Sequence, residues 1–359
     1  MSKFTKFIRE NRLYLILFIF VLCVNILILK GTIVEKNGIK DAGLSEEFLE
    51  SGKPKKSLFD EEDIALRQKK FEKLIKENPS MGMFFAFFNM AVFYVLFLGI
   101  GIDIYLISRW IKKKTVKLNC VEQKKPLWSI PDIIRVVLIF LSIGYVFMIV
   151  QEKFANRWPL LYNENFRMVF NTASMNIIVI GVIMYFVVSK YGQSIKEIGL
   201  SPANIAGNIF YAVIGYIAII PIIVLIMTAT FFTVKWIGYK PPVQPIVRLF
   251  AEEKIVSVLW MSTIFAAIFG PVAEEIFFRG FMYPAVKKKM GIFLGIMITS
   301  FLFALLHAHI VGFLPIMVLG VLLVYLYEKT GSIVPSIIVH IMHNVSMLVI
   351  VFITRSIGV

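Results

Sequence analysis

Residues 271–280 read PVAEEIFFRG and place two adjacent glutamates and an arginine inside a long apolar stretch of the chain. A charged side chain at the centre of a lipid bilayer costs about 2.5–3.5 kcal/mol on insertion scales. Charged groups in such a place indicate a functional site, and the competing interpretation is an ion pair that only holds helices together. The surrounding sequence has to decide between the two.

The whole chain has the composition of a membrane protein. Of its 359 residues, 58% are hydrophobic and 14% are aromatic, whereas soluble domains are about 45–50% apolar. We predict an all-α, polytopic membrane protein with about nine transmembrane helices, because helices satisfy their own backbone hydrogen bonds in lipid. The apolar segments are 13–29, 81–108, 131–150, 168–188, 208–234, 255–283, 291–308, 313–327 and 333–353.

The net charge of +15 is concentrated in short loops beside these segments. Cations crowd the loop 109–125, and three lysines follow one another at 287–289. Such clusters are the positive-inside signal and contact anionic headgroups. We therefore expect membrane lipids as partners and no nucleic acid. The clusters place 109–125 and 284–290 in the cytosol and 30–80 outside.

The two glutamates of the quoted stretch are not equivalent on a helix. Glu275 and Arg279 are four residues apart, so they share a face and can form an ion pair. Glu274 projects about 100° away from Glu275 and stays free for another task. One glutamate is thus explained by structure and the other is not.

All four histidines of the chain lie in the last helices of the same region. His340 and Asn344 share one face of the final helix, and His343 lies at the margin of that face. Only one of His307 and His309 can face a common cavity well, and we expect His309 at the membrane interface. A single buried histidine is usually a hydrogen-bonded packing residue, but three helices that each contribute such groups favour a functional site.

These residue types suit a hydrolase that activates water. Glu274 in apolar surroundings suits the general base, and His307 can bind the same water. His340 and Asn344 can donate hydrogen bonds to the developing oxyanion, while Arg279 neutralises the second glutamate.

Other chemistries fit the same residues. Imidazoles of His307 and His340 with a glutamate match the ligands of catalytic zinc, although HExxH is absent. A proton-coupled transporter with a buried Glu/His network, or a non-catalytic immunity or scaffold protein, would also keep ionisable groups in the membrane.

Three motifs on successive apolar segments resemble those of the CAAX protease and bacteriocin-processing family, also called the Abi family. The family's motifs are EExxxR, FxxxH and HxxxN. In this chain they read Glu274-Glu275-IFF-Arg279, Phe303-ALL-His307 and His340-IMH-Asn344. The resemblance is strong over about 255–350.

The resemblance implies an α-helical intramembrane endopeptidase whose cavity opens toward the cytosol and whose substrates are membrane-associated, prenylated or transmembrane proteins. It implies that Glu274 and His307 activate water and that His340 and Asn344 lie at the oxyanion, with Glu275 and Arg279 supporting them. The family has been described both as metalloproteases and as glutamate proteases. We favour a mechanism with no obligatory cofactor and keep zinc as the alternative.

The resemblance also divides the chain. Residues 1–130 hold two transmembrane helices, an exterior segment over 30–80 and the basic cytosolic loop. Residues 131–254 hold accessory transmembrane helices, and 255–353 form the catalytic core. Within the exterior segment, DEEDIALRQKKFEKLIKE predicts an amphipathic helix, which is either a solvated connector or an element that gates substrates or binds a partner. No eukaryotic sorting signal is visible, so we expect an integral protein of a bacterial plasma membrane.

Overall fold

The computed structural model describes residues 3–41, 61–114, 125–154, 157, 163–201, 203–239, 241 and 245–356. Every regular element in these ranges is helical, and the prediction of an all-α polytopic membrane protein is confirmed. Much of the exterior segment and of the basic loop, 42–60 and 115–124, lies outside the described residues.

Twelve α-helices follow one another along the described chain. They are α1 (Lys3–Asp41), α2 (Glu61–Glu77), α3 (Pro79–Ile111), α4 (Ile130–Phe154), α5 (Glu164–Met184), α6 (Ile205–Ile237), α7 (Pro245–Glu252), α8 (Val256–Ile264), α9 (Gly270–Glu275), α10 (Tyr283–Leu306), α11 (Ile310–Thr330) and α12 (Val334–Ser356). Shorter helical turns join several of them.

Eight helical stretches in the described residues are long and apolar enough to cross a membrane, and one of them reverses direction. This stretch, Val256–Leu306, has 51 residues, far more than a hydrocarbon core of about 30 Å requires. The backbone leaves the helical region at Gly291, with φ 82° and ψ 174°, a conformation that glycine tolerates. Beyond it, a Cβ on Gly295 would lie only 3.4 Å from Cα of Lys287. The stretch is therefore a hairpin, and its two arms account for the ninth predicted helix.

The position of the break differs from our expectation. The apolar segments 255–283 and 291–308 predicted a loop over 284–290, but the first arm stays helical through Pro271 and Pro284 up to the reversal. A π-helical turn precedes each proline, Phe265–Phe269 before Pro271 and Ile276–Met282 before Pro284. A π turn changes the hydrogen-bond register, so a missing N–H is accommodated without ending the helix.

The chain divides into two compact units, which are 1–55 with 130–183, and 56–129 with 184–359. In the first unit, polar side chains join otherwise apolar helices. The Asn25 carboxamide donates to the Tyr145 hydroxyl at 2.7 Å, and the carboxamides of Gln151 and Asn171 bond to each other. Such pairs help helices associate in lipid, where apolar side chains gain little from contact with one another.

The second unit contains the amphipathic helix expected in the exterior segment, which is α2. Its apolar stripe packs against the start of α3: the Phe71 and Phe85 rings are 4.9 Å apart, and Ile75 lies against Gly82. On which side of the membrane this helical pair lies stays a prediction.

The core of the second unit forms around α6, which contacts α3, α11 and α12. Gly99 of α3 lies so close to Ile217 and Pro221 of α6 that any side chain at this position would clash. Small residues allow membrane helices this close approach. All three motif segments belong to this unit.

Candidate active site

The first motif begins on α9, a short α-helical segment between the two π-helical turns, and its Arg279 lies in the second of these turns. Glu275 and Arg279 are both completely buried, and Nη1 of Arg279 donates to Oε1 of Glu275 at 2.7 Å. Nη2 of Arg279 donates to the carbonyl oxygen of Gly320 on α11 at 3.3 Å. The ion pair expected from the i,i+4 spacing is thus present, and it also fastens α11.

A third group joins this ion pair from the last helix. Nδ1 of His340 lies 2.8 Å from Oε1 of Glu275, the oxygen that also accepts from Arg279. A carboxylate only accepts hydrogen bonds, so Nδ1 carries the proton in this contact. Glu275 therefore fixes both the orientation and the tautomer of the His340 ring, as carboxylates do for catalytic histidines.

Glu274 points away from the ion pair, as helical spacing predicts. Its side chain is 36% exposed, and its Oε2 is 3.8 Å from Nε2 of His340, longer than a hydrogen bond. That oxygen is covered and has no hydrogen-bond partner among the residues the structure describes. The two ring nitrogens of His340 thus face the two glutamates: Nδ1 is hydrogen-bonded to Glu275 at 2.8 Å, and Nε2 is 3.8 Å from Glu274.

The second motif brings His307 to the same aromatic ring as His340. The Phe303 ring centroid lies 4.8 Å from that of His307 and 5.5 Å from that of His340, and Cζ of Arg279 lies over its face at 4.3 Å. His307 ends α10, is exposed, and places Nδ1 2.8 Å from the Phe303 carbonyl oxygen. Phe303 therefore positions both imidazoles and shields the arginine.

Asn344 does not touch the carboxylates. Its Nδ2 donates to the carbonyl oxygen of Ala266, in the π-helical turn that precedes α9, at 2.8 Å. Of the six predicted site residues, the structure thus joins Glu274, Glu275, Arg279 and His340 in one cluster. It places His307 beside this cluster, and it ties Asn344 to the backbone of the same hairpin.

The other two histidines have separate surroundings. Nδ1 of His309 accepts from the Gly312 N–H at 2.9 Å and caps the start of α11, and burial lowers the pKa of this imidazole. The His343 ring meets that of Tyr216 edge to face, with centroids 6.2 Å apart. His309 and Gly312 are three residues apart, the spacing at which a capping side chain accepts from the first turn of a helix.

Sequence reasoning did not assign Phe303 its central position or foresee the backbone partners of Arg279 and Asn344. Phe303 carried a signal, since it begins the FxxxH motif. The carbonyl partners carried none, because every residue has a carbonyl group.

Zinc ligation is not favoured by the donor set. Among the described ranges, no group of three or more His, Cys, Asp or Glu side chains is arranged to hold a metal ion. His340 uses Nδ1 for Glu275, and its Nε2 has one neighbouring carboxylate, that of Glu274. Catalytic zinc takes three protein ligands, so we derive no chemical step through a metal.

The fold and the site define a class of protein: a helical membrane protein whose three motif segments surround a buried cluster of glutamate, arginine and histidine. Residues 256–346 match the model of the family described as "Type II CAAX prenyl endopeptidase Rce1-like". This segment of the chain is similar to that CAAX protease family, and the resemblance read from its motifs is confirmed there.

Two curated proteins are similar to this chain. "Putative membrane peptidase YdiL" of Bacillus subtilis (strain 168) is 30% identical over 90 residues, which are 25% of this chain and 37% of that protein. "UPF0177 protein YxdF" of Lactococcus lactis subsp. lactis (strain IL1403) is 34% identical over 74 residues, 20% of this chain and 40% of that protein. The chain thus spans less than half the length of either relative. No solved structure matches it significantly.

Proposed function

We propose that this protein is an intramembrane endopeptidase that hydrolyses peptide bonds of membrane-associated proteins with water activated by glutamate and histidine. The observation that carries the proposal is the contrast between neighbouring carboxylates. Glu275 is buried and held by Arg279 and His340, whereas Glu274 is partly exposed and makes no such bond. A general base needs an accessible lone pair that faces the reactant. The CAAX protease family and the relative named as a peptidase support a membrane peptidase.

The hydrogen bonds indicate how a proton moves. Nδ1 of His340 donates to Glu275, so in the neutral ring Nε2 is the nitrogen without a proton. This Nε2 faces Glu274. Glu274 takes a proton from water as the hydroxyl oxygen attacks the peptide carbonyl carbon. The proton then passes to Nε2 of His340 and on to the amine that leaves when the C–N bond breaks. With His340 protonated, the two positive and two negative charges of the cluster cancel, which matters in a low-dielectric site.

The remaining motif residues complete the site in this proposal. His307 lies on the same Phe303 ring as His340 and supplies the second contact to the attacking water. A carboxamide has two N–H groups, and one of those of Asn344 is held by Ala266. The other donates to the oxyanion together with the protonated His340, in the way that preorganised donors stabilise such intermediates.

The position of the site restricts the substrates. The glutamates and the arginine of the cluster lie in a hairpin that is long and apolar enough to span a membrane, so a substrate reaches them through a lipid anchor or an apolar segment of its own. We therefore propose prenylated or transmembrane proteins as the substrate class and a bacterial plasma membrane as the location.

The proposal is tested by comparing wild type with Glu274→Gln. The purified proteins are incubated with a quenched fluorogenic farnesylated peptide ending in a CAAX sequence and with transmembrane peptides. In parallel, the cleaved protein termini in membranes of the two strains are compared. Cleavage by wild type alone, with uncut membrane-associated proteins in the variant strain, is expected. If wild type cleaves nothing and no protein accumulates, a non-catalytic immunity or scaffold protein or a proton-coupled transporter becomes the better account.

Metal dependence needs a separate measurement. We expect cleavage to survive dialysis against a chelator, because Glu274 and His340 exchange the proton directly. Stoichiometric zinc in active protein, with activity lost on chelation and restored by zinc alone, would instead assign His307 and His340 as ligands. The Glu274→Gln variant separates the two cases only in combination with metal analysis, since a glutamate serves both mechanisms.

A further inference from the structure

The π-helical turn before α9 leaves one carbonyl group without a helical donor. The N–H of Gly270 bonds five residues back, to the carbonyl oxygen of Phe265. In the same register the next N–H, at position 271, would bond to Ala266. That position is Pro271, which has no N–H group. Both helical donors that could reach the Ala266 carbonyl oxygen are therefore lost, one to Phe265 and one to the proline ring.

The Ala266 carbonyl oxygen accepts its hydrogen bond from the side chain of Asn344 on α12 instead. Its Nδ2 lies 2.8 Å from the Ala266 oxygen, within the range of a good hydrogen bond. In lipid, a carbonyl group freed by proline has to find another donor. One turn earlier on α12, His340 contacts Glu275. The last helix is thus bonded to the glutamate-bearing arm at two points, both on the face that the HxxxN spacing defines.

We propose that Pro271 is a positioning residue of the active site and that it acts through Asn344. By withholding its N–H, Pro271 keeps the Ala266 carbonyl available. That carbonyl binds one N–H of the carboxamide and thereby sets the direction of the other. The inference rests on the proposed function in one respect, namely that the second N–H of Asn344 serves the oxyanion.

The proposal makes a prediction that is unusual for a helical proline. Alanine at position 271 restores an N–H that can bond to Ala266 within the helix, so it competes with Asn344. Replacing proline by alanine inside a helix usually favours the helix. Pro271→Ala should therefore keep or raise thermal stability while the carboxamide loses its fixed orientation and catalysis falls.

The hydrogen-bond linkage is tested by a double-mutant cycle that needs no substrate. The apparent Tm in detergent is measured for wild type, Pro271→Ala, Asn344→Ala and the double variant. Asn344→Ala should lower Tm by several degrees in the wild-type background, because it strands the Ala266 carbonyl. In the Pro271→Ala background the same substitution should change Tm little. Equal losses of Tm in both backgrounds would overturn the linkage.

The positioning role is tested by kinetics on the farnesylated fluorogenic peptide. Pro271→Ala should lower kcat by about 10–10²-fold with KM little changed, as expected when a catalytic group is misplaced by a small distance. The control is Pro221→Ala, which removes a proline inside α6 that packs against Gly99 of α3 and should leave kcat unchanged. Unchanged kcat in Pro271→Ala would overturn the positioning role. If wild type itself does not cleave, the proposed function fails, while the Tm cycle still decides whether Pro271 and Asn344 are linked.

Discussion

Two carboxylate clusters each include side chains from the first arm of the hairpin, and they differ in how completely their atoms are bonded. The first, the α9 cluster, consists of Glu274, Glu275, Arg279 and His340. The second, the Glu328 cluster, joins the start of α10 to the end of α11. In it, Lys287 bonds to both carboxylate oxygens of Glu328 at 2.6 and 2.7 Å, and the Tyr283 hydroxyl donates at 2.8 Å.

The Glu328 cluster is saturated, since both of its carboxylate oxygens accept hydrogen bonds, and it is the more exposed of the two clusters. Lys287 is 38% exposed and Glu328 15%, whereas Glu275 and Arg279 are fully buried. Yet three buried atoms of the α9 cluster, Oε2 of Glu274, Oε2 of Glu275 and Nε of Arg279, have no hydrogen-bond partner in the described part of the chain. Each such atom costs about 1–3 kcal/mol. The unpartnered atoms of the α9 cluster can bond to a reactant, so this cluster is suited to receive one. The fully bonded Glu328 cluster is suited to hold two helices together.

The largest effect is expected from replacing Glu274 of the α9 cluster, and the comparison is with the same replacement of Glu328. Glu274→Gln should lower kcat by about 10²–10⁴-fold, the contribution of a general base. Little folded protein should be lost, because Oε2 of Glu274 has no hydrogen-bond partner among the described residues. Glu328→Gln is the matched control, since it makes the same chemical change in the saturated cluster. It should keep kcat and lower the apparent Tm. Full activity of Glu274→Gln would remove the proposed mechanism in either form.

Removing the buried partner should affect stability as well as activity. Glu275→Gln strands the Arg279 charge, and breaking a buried pair costs about 3–5 kcal/mol. Glu275→Gln combined with Arg279→Met should regain part of that loss, because no charge then remains unpaired. Detergent unfolding followed by tryptophan fluorescence measures both variants. A single variant as stable as wild type would contradict the structural role given to this pair.

The two histidines of the site should differ in how much their replacement lowers stability, as the two glutamates do. His340→Ala and His307→Ala should each lose most activity. Only His340→Ala should also destabilise the fold, by about 1–3 kcal/mol, because it removes a donor from the buried Glu275. His307 is exposed at a helix end, so its replacement should stay within about 0.5 kcal/mol of wild type. Equal destabilisation by both substitutions would show that the contacts of His340 are not special.

Asn344 gives an intermediate case. Asn344→Ala should lower kcat by about 10²–10³-fold if its second N–H serves the oxyanion, in addition to the loss of Tm described above. Kinetics on the farnesylated peptide at saturating concentration measure this effect. A loss of Tm with unchanged kcat would leave Asn344 a purely structural donor to Ala266.

The smallest effect is expected at the exposed end of the saturated cluster. Lys287→Met removes one side of a pair whose lysine is more than a third exposed. Solvent screening reduces such pairs to about 0–1 kcal/mol, so we expect a small fall in apparent Tm and unchanged kcat. A fall as large as that of Glu275→Gln would erase the distinction between the clusters.

The helical architecture was predictable because it follows from local properties of the sequence. The length of an apolar run decides whether a helix can cross lipid, and the eight stretches with the reversal at Gly291 agree with the nine predicted segments. The position of that reversal was predicted several residues too early. The gap between two apolar segments suggested a break over 284–290, but the helix continues through Pro284, which follows a π-helical turn.

In the site, too, contacts within one helix were predictable from the sequence, whereas contacts between helices were not. The bond between Glu275 and Arg279 was predictable because both residues lie on one helix and the spacing fixes their geometry. The contact of His340 with Glu275 was not, since it depends on how α12 is rotated and how deep it lies. Tertiary contacts set that arrangement, among them the hydrogen bond from Ser336 of α12 to the Leu323 carbonyl oxygen of α11 at 2.7 Å.

The pairing of Glu275 with Arg279 also bears on how the chain enters the bilayer during synthesis. Both side chains lie on one arm of the hairpin, so their ion pair forms as soon as that turn of helix forms and does not wait for later helices. The inserting segment then presents a neutral pair to lipid in place of two separate charges, which lowers the cost of insertion. This pair leaves Glu274 without a partner, and α12, which is synthesised after the hairpin, brings Nε2 of His340 to within 3.8 Å of Glu274.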